Sequence, residues 1–98
     1  MWKKLYRLKK LWYTFIRIRN SLKDISNNFY SITRVALNNG FYSLEYFSET
    51  FSQVMGVSPR IYSDYCKYKF KVSEENFEII NLNLIKLQEL VNKTNLFI

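Results

Sequence analysis

The chain has 98 residues and a mass of 11.9 kDa, which is room for one modest hydrophobic core. Fifteen Lys and Arg against eight Asp and Glu give a net charge of +7, while 48% hydrophobic and 18% aromatic content exclude a disordered basic tail. With no histidine, one cysteine (Cys66) and two isolated glycines, histidine-based catalysis, a zinc or histidine metal site, an internal disulfide and a glycine-rich phosphate loop are all excluded.

Two glycines and one proline predict an all-α chain rather than a turn-rich β fold. A first helix is predicted over 3–26. Leu5, Leu8, Trp12, Phe15 and Ile16 recur at steps of three and four, Ile18, Leu22 and Ile25 continue the stripe, and Ser26-Asn27-Asn28 ends it. Ser31 then caps a short helix from Ile32 to Asn38, and Asn39-Gly40 is a strong turn signal. Ser43 caps a third helix reaching Met55, with Glu45 in its positive first turn and Gly56 as its stop. Ser58-Pro59 starts a fourth helix, serine as cap and proline at the first helical position, running through Tyr65 and up to Lys69. Residues 65–72 also alternate imperfectly, so a strand is an alternative there. Ser73-Glu74-Glu75 opens the last helix, where Phe77, Ile80, Leu84, Leu87 and Val91 follow the spacing of a coiled-coil seam. That seam packs either on its own domain or on another chain.

The charge is laid out unevenly. Lys3, Lys4, Arg7, Lys9, Lys10, Arg17, Arg19 and Lys23 place +8 in the first 23 residues, and the other 75 sum to −1. The arm reads as a solvated helix whose lysine stems cover core aromatics, as a nucleic-acid-binding arm, or as a membrane-surface or acidic-partner helix anchored by Trp2, Trp12 and Phe15. No run of about 18 apolar residues is present to cross a membrane, and no secretory h-region is evident. Lys67, Lys69 and Lys71 read as an exposed solubilising strip, and Cys66 as a half-buried thiol.

The centre of the chain is a short helix, a glycine turn and a longer helix. Ala36 stands where two helices cross, and Val35, Phe41, Phe47 and Phe51 form an apolar wedge. This layout suits a helix-turn-helix, whose second helix enters the major groove. The residues Ile32-x-x-Val35-Ala36-x-x-x-Gly40-Phe41-x-Ser43-x-x-Tyr46-Phe47-Ser48-x-x-Phe51, then Gly56-Val57-Ser58-Pro59-x-x-Tyr62, resemble the second helix-turn-helix of the AraC/XylS transcription regulators. Arg17-Ile18-x-x-Ser21-x-x-x-Ile25 resembles the linker helix joining that family's two units. The resemblance implies a homeodomain-like three-helix core with a basic linker-type helix before it and an amphipathic helix after it.

Two departures stand out. Only sixteen residues precede Arg17, so the family's first subdomain is expected to be missing or reduced to a basic stub, with no room for a sensor domain. Glu49, Ser52 and Gln53 stand where the family usually has basic residues, leaving the recognition helix with two acids and no base.

By position, the resemblance implies Leu44, Glu45, Ser48 and Glu49 as groove-facing residues. A carboxylate can accept from cytosine N4 and Leu44 can touch a thymine methyl. The bland alternative is that Glu45 and Glu49 are solvated carboxylates stabilising a helix start. Backbone N–H groups at the helix starts of Ser31, Ser43 and Ser58, together with Arg60, are phosphate candidates. Lys3, Lys4, Arg7, Lys9, Lys10, Arg17 and Arg19 would supply sequence-independent attraction.

The expected organisation is 1–30 basic helix and linker, 31–69 helix-turn-helix, and 70–98 amphipathic helix. The expected function is a cytoplasmic, non-enzymatic transcription regulator binding double-stranded DNA, without cofactor, metal or small-molecule site. Phe77, Ile80, Leu84, Leu87 and Val91 are its expected homodimer or heterodimer surface. The alternative is an interaction protein that modulates a full-length relative or another partner, with little DNA binding of its own. A peripheral membrane protein and the remnant of a longer regulator are further readings.

Overall fold

In the computed structural model, residues 2–27 and 30–94 are described, with side chains over 10–27, 30–69 and 71–93. The helices are α1 (Trp2–Asn27), α2 (Ile32–Asn38), α3 (Leu44–Met55), α4 (Pro59–Lys67) and α5 (Glu74–Thr94), with one 3-10 turn at Lys69–Lys71. The fold is all-α, as the low glycine and proline content predicts, and no strand occurs among the described residues.

Serine starts α2, α3 and α4. The hydroxyls of Ser31, Ser43 and Ser58 accept from the backbone N–H of Arg34 (3.1 Å), Tyr46 (3.1 Å) and Ile61 (3.2 Å). Ser73 does the same for Asn76 at 3.1 Å, so α5 begins where the sequence places it. Each such cap contributes about 1 kcal/mol relative to alanine. The strand alternative at 65–72 is not adopted. Tyr62 and Tyr65 stack one helical turn apart (ring centroids 5.8 Å), and the N–H of Tyr68 closes α4 on the carbonyl of Asp64 at 2.6 Å. The following 3-10 turn leaves Lys69 and Lys71 over the rings of Tyr65 and Tyr68, at 5.7 and 4.7 Å from the ring centroids. Those lysines are exposed, as expected, and also cover aromatic faces.

α1 is the hub, packing against α2, α3, α4 and α5. Its linker-like residues Ile18, Ser21 and Ile25 are buried, and the Ser21 hydroxyl donates to the carbonyl of Ile18 at 2.6 Å. Val35, Ala36, Phe41, Phe47, Phe51, Met55, Val57 and Tyr62 complete the core from the helix-turn-helix side.

The last helix corrects one expectation. Ile80, Leu87 and Val91 are buried in the chain's own core, and Leu84 packs against it. Of the five seam residues only Phe77 stands at the surface, 36% exposed with its ring 5.5 Å from that of Tyr65. The seam therefore faces α1 and α3 of the same chain and is not a free dimer surface. The reason is local: Gly56 has no Cβ, so α5 lies directly across the end of α3. A methyl there would come 2.6 Å from Ile79 Cγ2.

Candidate nucleic-acid interface

The helix-turn-helix is built around one tight turn. Asn39 ends α2, and Gly40 follows at φ +85°, a left-handed conformation that favours glycine. The chain then doubles back, the N–H of Phe41 reaching the carbonyl of Ala36 at 3.0 Å. Ala36 is fully buried where α2 and α3 approach. Phe41 docks edge-on against Phe47 at 5.0 Å, and Phe47 continues to Phe51 at 5.6 Å. α1 holds the turn from outside. The Asn39 side-chain amide donates to Asp24 Oδ2 and to the carbonyl of Val35, both at 2.8 Å.

These contacts fix which face of α3 is presented. Phe47, Thr50, Phe51 and Met55 turn inward. Glu45, Glu49 and Gln53, four residues apart, lie exposed on the outer face, with Leu44, Ser48 and Ser52 half-buried beside them. Of the four predicted groove-facing residues, Glu45 and Glu49 are exposed, while Leu44 and Ser48 are half-buried at the margin of that face, and its described part carries no cation.

The candidate phosphate contacts gather on neighbouring elements. Ser31 and Arg60 line one cleft of about 560 Å³ between the start of α2 and α4, together with Ile25, Tyr30, Ile32, Ser63, Asp64 and Lys67. A second cleft of about 540 Å³, between α1 and α4, holds Arg19 with Asn20, Leu22, Lys23, Ser26 and Tyr62. Arg17 lies over the turn, its Nε 3.2 Å from where a Cβ on Gly40 would be. Ser43 and Ser58 cap α3 and α4, as above. Lys10 is exposed. The side chains of Lys3, Lys4, Arg7 and Lys9, and of the anchor candidate Trp2, lie outside the described residues, although their backbone belongs to α1.

Sequence reasoning missed Lys23 and Lys67 as members of these clefts. Both were legible by spacing: Lys23 is four residues after Arg19 and Lys67 seven after Arg60, the same helix face in each case. It also missed Tyr42, which is exposed and stacked on Tyr46. Nothing in the spacing of Tyr42 signals that contact.

Burial pushes the Cys66 thiol above its ordinary range, while its hydrogen bond with Tyr62 and the charges of Lys69 and Lys67 pull the other way. Burial, with Cys66 beside it, likewise pushes the Tyr62 phenol up. No group of three or more Cys, Asp or Glu among the described residues is placed to hold a metal ion. No helix among the described residues is long and apolar enough to cross a membrane.

Residues 22–62 match the family model of the bacterial regulatory helix-turn-helix proteins, AraC family. The match begins in the second half of α1, takes in α2, the turn and α3, and ends in α4. Neither a curated protein nor a solved structure matches the chain. The chain carries an AraC-family helix-turn-helix, a domain of bacterial regulatory proteins.

Proposed function

We propose that this AraC-family helix-turn-helix serves a DNA-binding transcription regulator, with the helix of residues 43–55 in the major groove and phosphate contacts from the basic N-terminal arm. The observation that carries the reading is the buried wedge of Val35, Ala36, Phe41, Phe47 and Phe51, which leaves Glu45 and Glu49 exposed, with Leu44 and Ser48 half-buried beside them, within the family-matched segment. Base-edge contacts come from those four residues. Phosphate contacts come from Arg60 and the helix starts at Ser31, Ser43 and Ser58, with Arg17 and Arg19 beside them. Lys3, Lys4, Arg7, Lys9 and Lys10 supply the sequence-independent attraction, each neutralised phosphate adding about −0.9 to the log–log salt slope. Such a protein works in the cytoplasm, without cofactor and without catalytic activity.

The exposed carboxylates of Glu45 and Glu49 support a second reading. In it the protein modulates a full-length relative, or another protein, and binds little DNA itself. Fluorescence anisotropy of the full chain on mixed-sequence duplex DNA, from 50 mM salt upward, separates the two. Saturable binding that weakens steeply with salt is expected from the first. Absence of binding at 50 mM salt would overturn it in favour of the second.

A further inference from the structure

Tyr42 is the most exposed large hydrophobic side chain among the described residues, at 80%. It is nevertheless held. Its ring stacks on Tyr46, with centroids 5.0 Å apart and planes 18° from parallel. Tyr46 in turn packs on Phe41 at 5.7 Å, and Phe41 on Phe47 at 5.0 Å. The exposed ring is thus the outer end of an aromatic series rooted in the core. Tyr42 directly precedes the Ser43 cap, and Tyr46 is the residue whose N–H that cap accepts. Both rings therefore belong to the leading end of α3, the part of a recognition helix that meets base edges.

The chemistry around them narrows the ligand. The flanking side chains on α3 are Glu45 and Glu49, both exposed. A carboxylate only accepts, so it opposes guanine, whose major-groove edge shows two acceptors, and suits the amino groups of adenine and cytosine. An apolar ring surface has one apolar counterpart in the major groove, the C5-methyl of thymine. An A·T pair offers both the amino group and the methyl on its major-groove edge, with thymine O4 between them. We propose that the stacked Tyr42–Tyr46 pair is a thymine-reading surface, with Glu45 or Glu49 taking the adenine amino group of the same pairs. This deepens the DNA-binding reading above and rests on it.

The test uses the full chain and two labelled duplexes at 50 mM salt, one of alternating A·T pairs and one in which uracil replaces thymine. The duplexes differ only in the C5-methyl groups. Burial of one methyl is worth about fourfold in affinity, so the thymine duplex is expected to bind at least about fourfold tighter. Tyr42→Phe keeps that ratio, and Tyr42→Ser brings it towards one. Circular dichroism confirms the fold of each variant. Equal binding of the two duplexes, or a ratio that survives Tyr42→Ser, overturns the proposal but leaves the DNA-binding reading standing. Tighter binding of unpaired oligothymidine than of either duplex overturns it too, since the rings would then be stacking on bases. Failure to bind any DNA overturns both.

Discussion

Gly40 and Gly56 share one backbone conformation, φ +85° and +75°, in different surroundings, so the same methyl group added to each separates strain from collision. The left-handed conformation alone costs an L side chain about 1–2 kcal/mol. At Gly40 the nearest atom to the new methyl is Arg17 Nε at 3.2 Å, near the end of an exposed, flexible side chain that can swing aside. Strain is then the whole cost. At Gly56 the methyl lies 2.6 Å from Ile79 Cγ2 and 2.9 Å from Asn83 Nδ2. Either α5 retreats or Asn83 turns away from the carbonyls of Met55 and Ile79, which it now reaches at 2.9 and 3.0 Å. Each lost hydrogen bond adds about 1 kcal/mol. Gly40→Ala should therefore cost about 1–2 kcal/mol and Gly56→Ala about 3–4 kcal/mol. In a domain of this size a difference of about 2 kcal/mol separates the melting temperatures by about 8–16 °C. Urea unfolding followed by far-UV circular dichroism measures both values. Repeating Gly56→Ala on an Asn83→Ala background should recover about 1–2 kcal/mol of the penalty. Equal stability of the two alanine variants would refute the reasoning, because the collision with α5 would then be relieved at no cost.

Other substitutions probe the surface and the core. Glu49→Arg should strengthen duplex binding and steepen the salt slope by about 0.9, as read by anisotropy, if the outer face of α3 lies at the DNA. Deleting residues 1–10 removes five cations and should flatten the slope by up to about 4.5, with undiminished affinity contradicting the role given to the arm. Ile80→Ala should destabilise the protein by about 2–5 kcal/mol in urea, whereas Ile85→Ala, at an exposed site on the same helix, should change stability by less than about 0.5 kcal/mol.

The helix starts were legible because a serine cap works over a fixed interval: Ser31, Ser43, Ser58 and Ser73 each accept from the residue three places on. The wedge of Val35, Ala36, Phe41, Phe47 and Phe51 was legible for a similar reason, since helical periodicity and a glycine turn leave one way to bury those residues. The destination of the α5 stripe was not. Spacing of three and four describes a helix with one apolar face and says nothing of what covers it. What decides is Gly56 together with Asn83, a polar residue whose use emerges only beside the Met55 carbonyl. Residues 65–72 were ambiguous because alternating Lys and aromatic residues suit a strand as well as a helix end followed by a turn. The Tyr42–Tyr46 stack joins a loop residue to a helix residue, and neither period describes such a pair.

Asn83 also bears on where this domain can be cut. The segment 22–62, defined by kinship, leaves out Ile18 on one side and Ile79, Ile80 and Asn83 on the other. Excised at those limits, α3 would lose the side chain bonded to its last carbonyl, and the core would lose Ile18, Ile80, Leu87 and Val91. Kinship and cohesion therefore draw different borders on this chain. For anyone transplanting the helix-turn-helix into another protein, the smallest portable piece starts near Phe15 and ends beyond Val91.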